Sequence, residues 1–288
     1  MAGRHEKWIF LNPEMAIITF TTDWGTRDYH IGAIKGMLLS QIQDLRLIDL
    51  SHQVARHNIQ QAAYIFKNAW RHFPTGTLHF IGVHGQNKHD PELIAIKKEG
   101  HIFIGVNDGF FSLVFEDAPI DVVTLRNPES KGDLFDLPLM VQSAAHLLNG
   151  RNLYELGERP EHFVQRSAFL PTIDEELIHG VVIYIDDYGN IVTNISRELF
   201  EEQRKGRKFE IVARKAQYSI DSISSYYNVV EPGSAIALFN DAGYLEIAIN
   251  EDVNTRKGVE RIIRAAFEFA KHNGKKTVHM ADKSNAMK

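Results

Sequence analysis

Two hydrophobic periods alternate along the first half of the chain. Residues 15–20, Met-Ala-Ile-Ile-Thr-Phe, form a short apolar run that suits a buried strand. Residues 31–39 instead carry apolar side chains three and four apart, the spacing of one helix face. Between them lies the polar stretch TTDWGTRDYH, with Asp23 and Asp28 five apart and Gly25 and Thr26 as turn chemistry. A strand end, a polar loop and a helix N-terminus in that order is where open α/β sheets bind ligands. The same pattern is also a plain helix start with Thr26 or Asp28 as its cap.

The alternation continues. Residues 44–52 read as a second strand ending in Asp49, Ser51 and His52, and residues 58–72 as a helix closed by Pro74 and Gly76. Residues 78–83 are a third strand running into the polar loop 84–91, and residues 93–97 and 102–106 a hairpin around Lys98-Glu-Gly100. Asn107-Asp-Gly109 and an apolar segment, 110–115, lead to a strand at 121–125 and a helix at 134–148. This order predicts an α/β layer fold. A Pro- and charge-interrupted stretch, 151–177, predicts a linker. After it come strand, turn and strand over 179–195, with Asp186-Asp-Tyr-Gly189 as the turn, and short strands at 209–213, 236–239 and 244–249. That half is mostly β, as a small barrel would be.

The totals narrow the chemistry. The 288 residues, 44% hydrophobic and 24% charged, allow two domains and a sizeable core. A formal net charge of −5 offers no basic stripe for nucleic acid. The absence of cysteine removes disulfides, thiolate chemistry and cysteine metal sites. No apolar run approaches the ~20 residues that span a membrane, and the first residues lack the apolar core of a secretory signal. A cytoplasmic protein is expected.

The blocks TDWGTRDYHIGAIKG, LIDLSHQV…NIQQAAYIF, FPTGTLHFIGV, ND-G, YIDDYGNIVTNI and GYLEIAIN, in that order from about residue 15 to 250, resemble the S-adenosylmethionine hydroxide adenosyltransferases, relatives of the bacterial fluorinase and chlorinase. The resemblance implies a Rossmann-like α/β domain over 15–165 and a smaller β-barrel-like domain over 178–252. It also implies a homotrimer, with each site between the N-domain of one subunit and the C-domain of the next. The implied reaction displaces methionine from the ribose C5′ of S-adenosylmethionine by water or hydroxide, with no cofactor and no metal.

The resemblance also distributes roles. Asp23 matches the aspartate that takes both ribose hydroxyls, and Asp28 one that meets the methionine ammonium. Asp186 matches a second acidic contact to the amino-acid end, Tyr188 the aromatic against adenine, and Asn190 the amide on the adenine edge. Without the resemblance, Asp186–Asn190 reads as a hairpin turn.

The water-handling residues depart from the family. Its hydroxide-using members carry an aspartate and an arginine in the loop after the third strand and a histidine in a later segment. Here His84 stands at the aspartate position, Pro91 or its neighbour at the arginine position and Ser130 at the histidine position, with Asp133 retained nearby. His84 with His89 or Asp90 could form a substitute acid–base pair. The alternatives are an adenosyl- or nucleoside-binding site without turnover, a metal set of His79, His84, His89 and Asp90, and a solvated turn without chemistry. Residues 253–288 leave the family pattern and resemble an internal piece of a β-decarboxylating, isocitrate-type dehydrogenase with a Lys283-Ser-Asn285 motif. Read from the residues alone, they are an amphipathic helix and a basic tail.

Overall fold

The computed structural model describes residues 15–85, 92–115, 117–125, 136–212, 219–227, 231 and 233–249. Contacts divide the chain into two compact units, 1–168 and 169–288. No described helix is long and apolar enough to cross a membrane. The predicted tail, 253–288, lies outside the described residues.

The first unit runs β1 (Ala16–Thr22), α1 (His30–Gln41), β2 (Leu45–Ser51), α2 (Ile59–Lys67), β3 (Leu78–Gly82), β4 (Leu93–Lys98), β5 (His101–Val106), α3 (Phe110–Val114), β6 (Asp121–Thr124) and α4 (Leu137–Leu148). Its strands form one sheet in the order β2-β1-β3-β5-β4-β6. The pairs β1/β2, β1/β3 and β3/β5 are parallel, whereas β4 is antiparallel to both β5 and β6. The period-two pattern of the strands splits their side chains between two cores. Ile18, Phe20, Leu78 and Phe80 meet Ile34 and Leu38 of α1 and Met140 and Val141 of α4. Ile81, Val83 and Phe103 meet Phe66 of α2, Trp70, and Phe110 and Phe111 of α3.

Several boundaries move for physical reasons. The predicted helix 58–72 stops at Lys67, because the Asn68 side chain donates to the Tyr64 carbonyl (2.9 Å) and the next turn drives Trp70 into the core. Asp136 starts α4 by accepting the Leu139 N–H at 3.0 Å, with Pro138 in the first turn. The apolar segment after Gly109 is the short helix α3, which seats Phe110 and Phe111 in one core.

The second unit holds β7 (Thr172–Ile173), β8 (Ile178–His179), β9 (Val182–Ile185), β10 (Ile191–Ser196), α5 (Arg197–Arg204), β11 (Ile211–Val212), β12 (Ser219–Ile220), β13 (Ala235–Phe239) and β14 (Tyr244–Ile249). An antiparallel sheet runs β13-β14-β10-β9. Among the described residues it is open, with β9 and β13 as unpaired edges, so the barrel-like expectation reduces here to an antiparallel sheet domain. The sequence reading missed α5. Its signal was present: the Ser196 hydroxyl accepts the Leu199 N–H at 3.2 Å, and Phe200 anchors the helix on Phe209 and Phe239.

Candidate functional site

In the order β2-β1-β3, the chain leaves β1 in one direction and crosses to β3 in the other, the kind of switch point at whose carboxyl ends open α/β sheets form a ligand crevice. Asp23 follows β1 there and His84 follows β3, with Thr22 in register with Gly82. Glycine is required at 82: a Cβ would stand 2.6 Å from the Trp24 ring and 2.8 Å from the Thr22 methyl. The indole thus lies directly on the β3 backbone, next to Asp23.

Three loops are tied together at this end. The Asp23 carboxylate is half-buried, and its Oδ2 accepts the His57 backbone N–H at 2.8 Å. His57 sits in the left-handed region (φ +61°), an uncommon conformation for a non-glycine residue and one that aims its N–H at Asp23. Its Nδ1 lies 3.0 Å from the His84 carbonyl oxygen, which can only accept, so this nitrogen carries the proton. The two imidazoles meet edge to face, with centroids 5.6 Å apart. His84 is half-buried, and its Nδ1 is buried without a hydrogen-bond partner among the described residues.

Below this layer, the fully buried Asp108 accepts the Gly85 N–H at 2.6 Å and the Phe110 N–H at 3.1 Å. Burial pushes its carboxyl above the usual range, against the pull of those two N–H groups and of the neighbouring His84 and Arg166. The predicted linker also takes part. Asn107 grips it through the His162 carbonyl (2.7 Å) and the Val164 N–H (2.9 Å), and Arg166 Nε donates to the Asp108 carbonyl at 2.9 Å.

The other predicted residues are placed as follows. Asp28 is exposed in the turn before α1, and neither it nor Thr26 caps the helix; the cap position is Tyr29, without a side-chain bond. His52, which the strand-end pattern drew out, bonds Thr22 Oγ1 at 2.8 Å and lies 3.0 Å from Asp49 Oδ1. In the second unit Asp186 folds onto its own turn. Its Oδ1 accepts the N–H groups of Tyr188 (2.9 Å) and Asn190 (2.8 Å), and its Oδ2 accepts the Asn190 amide at 2.9 Å. The Tyr188 ring above that turn is 76% exposed.

His79 does not join His84. It is wholly buried on the sheet face, with Nδ1 2.7 Å from Thr19 Oγ1 and Nε2 3.1 Å from His101 Nδ1, and burial pushes it down to about 3. His89, Asp90, Pro91, Ser130 and Asp133 lie outside the described residues, and among the described residues no group of three metal-ligating side chains occurs. A cleft of about 880 Å³ in the second unit, between Ile178, Val182, Phe200 and Ile211, includes none of Asp186, Tyr188 and Asn190.

An open α/β sheet that brings the Asp23 carboxylate and the His57 and His84 imidazoles to its switch point has the layout in which such sheets place their ligands. Comparison with known proteins makes that layout particular. The model of the SAM hydroxide adenosyltransferase N-terminal domain matches residues 18–157 and that of the C-terminal domain residues 180–259; the chain belongs to this family. An (R)-S-adenosyl-L-methionine hydrolase of Methanocaldococcus jannaschii is 29% identical over 248 residues, 81% of this chain and 88% of its own. A fluorinase of Actinopolyspora mzabensis is 25% identical over 273 residues, 81% of this chain and 90% of its own. The crystal structure of an uncharacterized conserved protein from Thermotoga maritima superposes with a TM-score of 0.67 at 24% identity, over 81% of this chain and 92% of that one, a likeness of fold.

Proposed function

We propose that the protein cleaves S-adenosylmethionine by displacement at the ribose C5′. A water oxygen forms a bond to C5′ as the C5′–S bond breaks, and its electron pair returns to sulfur. The products are adenosine, methionine and one proton. The observation that carries this reading is the linkage of Asp23 to His84 through His57 at the β1/β3 crevice. The named hydrolase and fluorinase relatives support it.

In this reading Asp23, steadied by the His57 N–H, accepts both ribose hydroxyls, for which a carboxylate has lone pairs to spare. Asp28 and Asp186 meet the amino-acid end of the substrate, Tyr188 lies against adenine, and Asn190 bonds the adenine edge. The hydrogen bonds inside the Asp186–Asn190 turn then serve to hold the Tyr188 ring in place. His84, at the position where the family has an aspartate, accepts a hydrogen bond from the attacking water and takes its proton. The leaving group is already a sulfonium, so the chemistry calls for no metal or cofactor. What the site supplies is an in-line, partly dried nucleophile.

The rest of the reading follows the family resemblance: a homotrimer in the cytoplasm, a Rossmann-like first domain, a barrel-like second one, and a dehydrogenase-like tail with no part in the site. A non-catalytic adenosyl-binding protein is the competing reading, favoured by the replaced aspartate, arginine and histidine positions. Calorimetric titration with S-adenosylmethionine and with adenosine, followed by chromatography of the same samples, decides between them. Binding with release of adenosine and methionine is expected; binding without release over hours would establish the competitor.

A further inference from the structure

Both polar atoms of a single peptide unit, the one joining His84 to Gly85, are held by side chains. His57 Nδ1 donates to its oxygen at 3.0 Å, and Asp108 Oδ2 accepts from its N–H at 2.6 Å. That peptide directly follows the Cα carrying the His84 imidazole. Arg166 reinforces the lower side. Its Nε donates to the Asp108 carbonyl at 2.9 Å, and its methylenes lie so close over Gly109 (φ +100°) that a Cβ there would collide with them. Its guanidinium comes within 3.4 Å of the point where a Gly85 Cβ would stand, and Asp108 Oδ2 lies 3.5 Å from the same point. A carboxylate and a guanidinium thus converge on one backbone unit at the carboxyl end of β3.

A fully buried carboxylate costs stability that an apolar side chain would not, unless its bonds return it. Asp108 spends its two oxygens on the Gly85 N–H and the Phe110 N–H, so what it secures is the geometry of two loops. The series Asp23, His57, the His84–Gly85 peptide and Asp108 is continuous from the crevice to the core.

We propose that Asp108, backed by Arg166, is a positioning residue that fixes the His84–Gly85 peptide and thereby aims the His84 imidazole at the attacking water. This rests on the S-adenosylmethionine-cleaving reading above. The fold would then gather a His, an Asp and an Arg from the loops after β3 and β5 and from residues 151–168, positions that no local motif connects.

The test separates the holding from the chemistry. Hydrogen exchange at the Gly85 amide, followed by NMR without substrate, reads the holding. In Asp108→Ala, which removes both acceptor oxygens, it speeds up about tenfold, as for a local opening that lost its acceptor, while the β1 amides keep their protection. Release of adenosine reads the chemistry. Asp108→Asn and Arg166→Ala each lower kcat roughly tenfold or more with KM changed less than about twofold, as for a misplaced catalytic group. Added to His84→Ala, neither lowers kcat further. Arg166 is exposed, so its variant remains informative if the buried substitution prevents folding. Unchanged Gly85 exchange, or a raised KM with kcat intact, overturns the proposal. A wild-type protein that binds S-adenosylmethionine but releases nothing ends the cleavage reading instead, and Gly85 exchange then still decides whether Asp108 holds the turn.

Discussion

Asp108 and Asp186 each accept two backbone N–H groups, and they do so in opposite ways. Asp186, itself half-buried, satisfies itself within five residues, taking the N–H groups of Tyr188 and Asn190 and the Asn190 amide in a turn whose middle residues are exposed. Asp108 is fully buried and reaches a partner 23 residues away, on a loop that another strand delivers. The local carboxylate shapes one turn and presents an exposed tyrosine. The non-local one couples two strand ends, and through His57 the network extends to a third. The first set of bonds is confined to one turn; the second fixes loops that follow different strands against one another.

The largest test of that contrast is Asp108→Ala. Two buried N–H groups lose their acceptor, so urea unfolding should show a loss of about 3 kcal/mol. A loss below about 1 kcal/mol would put Asp108 in the same class as a turn residue. The buried histidines offer a second case of polar groups joined across strands. Burial lowers His79 to about 3 and, with less help from its neighbours, also lowers His101. The unfolded chain therefore takes up protons that the folded chain refuses. Stability is fully present above the ordinary histidine value of 6.5 and is lost as pH falls toward about 3. The expected slope from His79 is about 1.4 kcal/mol per pH unit, and His79→Leu should make the total shallower in urea titrations between pH 6.5 and 4.5. An unchanged slope would mean that His79 is not held neutral.

Smaller effects belong to the local turn. Asp186→Ala should cost about 1 kcal/mol, the worth of a few partly exposed hydrogen bonds. Tyr188→Ala should leave stability within about 0.5 kcal/mol while weakening S-adenosylmethionine binding by roughly tenfold, the scale of one aromatic stacking contact. Calorimetry reads both quantities, and unaltered affinity in Tyr188→Ala would remove the ring from the ligand.

The same contrast explains what the sequence disclosed. Apolar periods of two and of three to four mark β1, α1, β3 and the hairpin of β4 and β5, because burial of one face writes itself into spacing. Asp23 and the Asp186–Asn190 turn were visible because strand ends and turn residues have local signatures. His84 was visible only as a departure from a family pattern. Asp108 stood in the ND-G block without a role of its own and Arg166 in the predicted linker, since pairing across β3 and β5 leaves no periodic trace. The end of α2 shifted because Trp70 is worth more in the core than in another helical turn, a tertiary effect. Asp28 and Thr26 look like caps, yet the helix starts at His30 without either.

Attack by water at C5′ leaves an isotopic trace in the product. S-adenosylmethionine turned over in water enriched in oxygen-18 should give adenosine carrying the label at its 5′-hydroxyl, one atom per molecule, together with an equal amount of unlabelled methionine. Label-free adenosine, or a bound ligand recovered intact after hours with no adenosine formed, would rule out attack by water.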